Sequence, residues 1–194
     1  RILRAGGVEL LISMLQKHRL YAEVLQRNAC EVLVQMALSS SEARIAIANA
    51  SQLRALLAEL EHNAMDEWLQ RCGCALVEAL ALSRETHTAI SHSGGIARVI
   101  EAALSHPRNA LVQGHAASAL ASLAVDNSDL SDALLFHRGI PSLLAALQNH
   151  RHNSWVQGHA CSALSNLALD REAHAAQIRR AEGIRHVSQA LQDH

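Results

Sequence analysis

The chain repeats itself about every 44 residues, and that period limits its fold more than any other feature. Glycine followed by a branched apolar residue occurs at Gly7-Val8, Gly95-Ile96, Gly139-Ile140 and Gly183-Ile184. The intervals of 88, 44 and 44 leave one vacant place near position 51, where Ser51-Gln52-Leu53 stands with serine in place of glycine. Each junction leads into a short apolar run: VELLISML, QLRALLAEL, IARVIEAAL, IPSLLAAL or IRHVSQAL. In every run the Leu, Val and Ile positions have helical spacing.

A second block recurs in step with the first. It reads VLQRNACEVLVQMAL, LQRCGCALVEALAL, LVQGHAASALASLAV and WVQGHACSALSNLAL, marked by Gln26, Gln70, Gln113 and Gln157 at intervals of 44, 43 and 44. The single-residue change falls in a polar loop, which absorbs it cheaply. A unit then has three parts. A short helix such as EARIAIANA or ETHTAISHS comes first, a glycine turn and a second helix follow, and a polar loop leads to a longer third helix. Pro141 fits the first turn of its second helix, where a missing N–H is harmless. Ser39-Ser40-Ser41 reads as a loop and helix cap, with Glu42 in the first turn.

Units of this size cannot bury their apolar faces alone, so neighbours must stack on one continuous core. Aromatic residues make up only 2% of the chain against 49% hydrophobic residues overall, a composition suited to thin helical layers packed on alanine and leucine. Two prolines and the lack of alternating β-branched runs exclude a sheet.

The three-helix unit, the glycine hinge and the pattern VQ..A..AL..LA resemble the armadillo repeat family, over essentially the whole chain. The two-helix HEAT repeat lacks the short first helix and ranks behind it. The resemblance implies an all-α fold, a right-handed α-solenoid of three-helix armadillo repeats. Its units are expected at about 1–40, 41–83, 84–126, 127–170 and, in part, 171–194. Arg1–Ala5 reads as the tail of a first helix. The fifth unit lacks a third helix, so Ile184, Val187 and Leu191 are expected to lack cover and the chain to be a piece of a longer solenoid.

Net charge is −1, and no segment carries the basic excess that a phosphate-binding surface needs, so nucleic acid is not the expected partner. No apolar stretch approaches the ~20 residues that span a bilayer. Cys30, Cys74 and Cys161 share one position with Ala117, a small buried slot that suits a free thiol. Cys72-x-Cys74 puts its side chains about 200° apart on a helix, which is unfit for one metal. Four cysteines without a secretory signal read as reduced thiols of the cytoplasm, with the nucleus as a second compartment. Trp68 and Trp155 share a position with Val24 and Leu111 and read as core. His18, His62, His106, His150 and His152 fall in polar loops and read as solvated surface. No nucleophile motif, phosphate-cradling glycine loop, metal-ligand set or cofactor motif is present. The chain reads as a binding protein and not an enzyme.

The resemblance further implies that third helices line a concave groove holding an extended peptide. In the importin-α branch, Trp and Asn ladders clamp a basic segment there. The Trp positions fall on Glu31, Ala75, Ser118 and Ser162, and the Asn positions on Gln35, Ala79, Ser122 and Asn166. Only Asn166 matches, which argues against nuclear import. A neighbouring column comprises Asn28, Cys72, His115 and His159. The expected groove is therefore Asn28, Glu31, Gln35, Cys72, His115, Ser118, Ser122, His159, Ser162 and Asn166, polar and nearly uncharged. His115 and His159 are expected to offer hydrogen bonds to a protein or peptide partner of roughly 10–12 residues across four helices. A rival reading is an assembly module that stacks through its uncapped ends on a larger solenoid or another copy. A nuclear transport receptor is more remote.

Overall fold

The computed structural model describes residues 6–17, 23–125 and 127–193. Arg1–Ala5 and His18 lie outside them. Among the described residues there are thirteen helices and no strand. The first repeat contributes a second helix, α1 (Gly7–Lys17), and a third helix, α2 (Glu23–Ser39). Three full units follow: α3 (Ser41–Ile47), α4 (Ala50–His62) and α5 (Glu67–Ala81); α6 (Arg84–His92), α7 (Gly95–Ser105) and α8 (Ala110–Leu123); α9 (Ser128–Phe136), α10 (Gly139–Asn149) and α11 (Ser154–Asp170). The last helices are α12 (Glu172–Arg180) and α13 (Gly183–Asp193).

Third helices pack on third helices: α2 on α5, α5 on α8, and α8 on α11. Second helices form a parallel layer, α1 with α4, α4 with α7, α7 with α10 and α10 with α13. The core runs unbroken between the layers, with Leu33, Leu53, Leu76, Ile100, Leu120 and Leu134 fully enclosed. Burying each such side chain contributes about 1.5–3 kcal/mol. Small residues such as Ala75, Ala79, Ala116, Ala119, Ala160 and Ala163 let the third helices approach closely.

Caps start most helices where expected. Ser40 accepts from the Ala43 N–H at 3.1 Å, Asp66 from Leu69 at 3.0 Å and Asn153 from Val156 at 3.1 Å. The corner between first and second helix is the expected glycine turn at Gly6-Gly7 and Gly94-Gly95 but not at Gly139 and Gly183. The left-handed residue is the one before the repeated glycine: Gly6 (φ 71°), Gly94 (φ 82°), Arg138 (φ 69°) and Glu182 (φ 59°). The repeated glycine itself opens the helix and is required by close approach, because a Cβ on Gly139 would stand 2.8 Å from the Leu134 carbonyl oxygen. At the vacant place, Ser51, the corner is built differently: Asn49 (φ −51°) caps the Ser51 N–H at 3.3 Å and no left-handed residue is used.

The glycine-and-glutamine pattern acquires a mechanical meaning here. Buried Gln113 donates to the Ala103 and His106 carbonyls at 2.6 and 3.1 Å, tying the C-terminus of α7 to α8. Gln70 does the same at Leu60 and Asn63, and Gln157 at Leu147 and His150. Each amide thus satisfies one orphan helix-end carbonyl and reinforces a loop carbonyl that already accepts from the next N-cap N–H, as that of His106 does from Asn109 at 3.1 Å. Two loop histidines are not free surface, contrary to expectation. His106 is 6% exposed and bonds the Ala64 carbonyl through Nε2 at 2.7 Å, while His150 bonds that of Pro107 at 2.9 Å. Each pegs its loop to the loop one repeat earlier, because a ring at the end of a second helix stands beside the preceding repeat. His62 and His152 are exposed, as expected.

Candidate functional site

The four third helices present one continuous face. On each, positions four, three and four residues apart fall on one side, so the columns at 24, 28, 31, 35 and 38 of α2 recur on α5, α8 and α11. Asn28, Gln35 and Ser162 are exposed on this face, and Glu31, His115, Ser122, His159 and Asn166 are half-buried. Two of the expected residues are not on it. Cys72 is fully enclosed and Ser118 is 7% exposed, so neither offers a side chain to a ligand. Cys72 is roofed by its neighbours, with Arg71 Nη2 3.4 Å and Glu31 Oε2 3.5 Å from its sulfur.

Two clusters organise the face. Between α2 and α5, Arg71 bonds Glu31 at 3.2 Å and lies over the Trp68 ring at 4.9 Å, with Arg27 on the same ring at 5.6 Å. Partial burial works against the Glu31 carboxylate, but hydrogen bonds from Gln35, Cys72 and Arg71 outweigh it and hold its pKa below the ordinary value. Between α5 and α11 runs a second line. His115 Nδ1 meets Glu78 Oε2 at 2.6 Å, so that nitrogen carries the proton given to the carboxylate. The His115 ring stands edge-on to Trp155 at 4.9 Å, and Trp155 edge-on to His159 at 5.9 Å. Both tryptophans are half-buried wedges between third helices, and not the enclosed core residues expected. Trp155 fits because Gly114 beneath it has no side chain: a Cβ there would overlap the indole.

Hydrogen-bonding capacity on the face is partly committed. Asn166 Nδ2 donates to the Ala121 carbonyl at 2.9 Å, tying α11 to α8, which leaves its side-chain oxygen. His115 has one nitrogen committed to Glu78. Glu78 itself has no counterpart at Val34, Ala121 or Ser165, so repeat alignment gave no signal for it.

The thiols are structural in their surroundings. Burial, with Glu78 adding to it, pushes Cys74 up to about 12. The hydrogen bond to Cys72 raises Cys30 well above the usual thiol range, and burial adds to it. Burial also raises Cys161, the one cysteine that is not enclosed. At pH 8 a thiol reagent is expected to modify Cys161 first in native protein, with Cys30, Cys72 and Cys74 reacting only on unfolding. Equal rates at all four would contradict this arrangement.

Among the described residues no helix is long and apolar enough to cross a membrane, and no three His, Cys, Asp or Glu side chains gather to hold a metal. No family model and no curated protein matches the chain. Solved structures do. A crystal structure of an engineered protein shares 26% identity and a TM-score of 0.83, over 99% of this chain and 78% of that one. A second engineered protein gives 22% and 0.82, over 99% and 82%. A computationally designed armadillo repeat protein for modular peptide recognition gives 17% and 0.80, over 99% and 84%. With its three-helix units, its stacked third helices and this likeness along nearly all of its length, the chain has the fold of an armadillo-repeat solenoid.

Proposed function

We propose that the chain is a scaffold that binds an extended segment of another protein along the groove of its third helices, without a cofactor and without catalysis. One observation carries this reading: four consecutive third helices stack in register, with Asn28 and Gln35 of α2 and Ser162 of α11 exposed and Ser122 and His159 half-buried, around structural pairs that fix the surface. Such a face provides hydrogen-bonding groups on α2, α8 and α11, with buried Cys72, Ala75 and Ala79 beneath it on α5, on a frame that need not reorganise to bind. The likeness to a design made for modular peptide recognition supports the same use.

The test replaces only open positions, Asn28→Arg, His159→Glu and Ser162→Arg together, because His115→Glu would set a second carboxylate against Glu78. Partners captured from cell extract by the unaltered protein are expected to be lost, by about tenfold or more, from a variant of unchanged helical signal. Undiminished capture would sink the groove reading.

A second reading has its own observation. Ile184 and Leu191 are 60% and 76% exposed, while the equivalent Ile140 and Leu147 are 3% and 2% exposed. The face of α13 would then stack on a further solenoid element or another copy. A solution mass that rises with concentration, and falls back in Leu191→Asn, would favour that reading.

A further inference from the structure

The third-helix face ends in a row that the groove reading has not used. Leu38, Leu82, Val125 and Leu169 lie twelve residues after Gln26, Gln70, Gln113 and Gln157, so they occupy one position in four successive repeats. All four are aliphatic, and they are 50%, 59%, 38% and 82% exposed. A single exposed leucine needs no explanation. Four at equivalent positions form a continuous apolar rail. They stand three residues beyond the Gln35 column and seven beyond the Glu31 column: Leu38 and Leu169 within α2 and α11, Leu82 as the cap of α5 and Val125 just past the end of α8.

The floor beside the rail decides what kind of segment fits. Its acidic groups already have partners, Glu31 an ion pair with Arg71 at 3.2 Å and Glu78 a hydrogen bond from His115 at 2.6 Å. A lysine laid over these groups would lose water to meet carboxylates that already have hydrogen-bonding partners. An aliphatic side chain there buries apolar surface on both partners. The far side of the floor carries apolar groups as well, with Val24 and Leu111 70% and 51% exposed.

Building on the groove reading, we infer that the bound segment is an extended, near-neutral polypeptide bearing aliphatic side chains, and that these lie along Leu38, Leu82, Val125 and Leu169. Its polar backbone crosses Gln35 and Ser122 of one column and His159 of another. The row sets the selectivity: aliphatic segments are held and basic ones are not.

Fluorescence anisotropy with three labelled twelve-residue peptides tests this. Two carry Leu at every second or every third position among Ser and Gln, and the third carries Lys in place of Leu. The proteins are the unaltered chain, a row variant (Leu38→Asn, Leu82→Asn and Leu169→Asn together) and the floor variant Asn28→Arg/His159→Glu/Ser162→Arg. Because the row is exposed, the row variant is expected to keep its full helical signal. At least one Leu peptide is expected to bind the unaltered chain, the Lys peptide not to, and the row variant to bind about tenfold or more weakly. If neither Leu peptide binds, or the row variant binds them unchanged, the inference is overturned. Binding of the Lys peptide that the floor variant abolishes would overturn it while leaving the groove reading intact. If capture from extract is also insensitive to the floor variant, both fail.

Discussion

Gln113→Ala is expected to destabilise the solenoid by about 2 kcal/mol. The side chain is 3% exposed, and its amide donates to two carbonyls, those of Ala103 and His106. Alanine leaves the Ala103 carbonyl without a donor, a buried orphan that costs about 1–3 kcal/mol, while the His106 carbonyl keeps the Asn109 N–H. The damage does not stop at α7. The His106 carbonyl is held by Gln113 while its ring is bonded to Ala64, so loosening this residue also frees the peg to the preceding loop. Urea denaturation would read the change as a lower midpoint. A shift equivalent to less than about 1 kcal/mol would mean that water replaces the amide.

Two glycines on successive third helices should respond in opposite senses. Gly114→Ala places a Cβ inside the Trp155 indole, which would have to leave its edge contacts with His115 and His159. A loss of about 2–3 kcal/mol is expected, with tryptophan emission moving to the red as the ring is wetted. Gly158 holds the equivalent place one repeat later, inside α11, exposed and with nothing within 4 Å of an added Cβ. Gly158→Ala should stabilise by about 0.5–1 kcal/mol, because alanine restricts the unfolded chain and favours helix. Both shifts are read from thermal melts. Two changes of the same sign would undo the account of why Gly114 is glycine.

The period, the three-helix unit and the stacking of third helices could be read from residue spacing, because these are one-dimensional properties of the chain. Which members of a column face a ligand could not. Asn28 and Cys72 are equivalent in sequence, but Cys72 lies under Glu31 and Arg71 while Asn28 is open. The difference comes from Glu31 on the neighbouring helix and Arg71 beside Cys72 on its own, which alignment within a column does not report. His106 and His150 were misread for a related reason: a polar loop residue looks solvated until the adjoining loop is placed beside it. Leu38, Leu82, Val125 and Leu169 were legible at the same 44, 43 and 44 spacing, but aliphatic residues at the end of a helix pass for core. The Gly6-Gly7 and Gly94-Gly95 corners are legible as turns, whereas Arg138 and Glu182 take the left-handed conformation without being glycine and give no such signal.

The bonds at each junction join a residue to partners fixed by its place in the unit: Gln to the second-helix end of its own repeat, His to the loop of the one before. Length changes in such a chain are therefore quantised. Excising one whole period, from a residue to its equivalent 43 or 44 positions later, leaves every surviving glutamine and histidine facing an acceptor of the kind it had. Removing half a period would bring unlike helices together and strand them all.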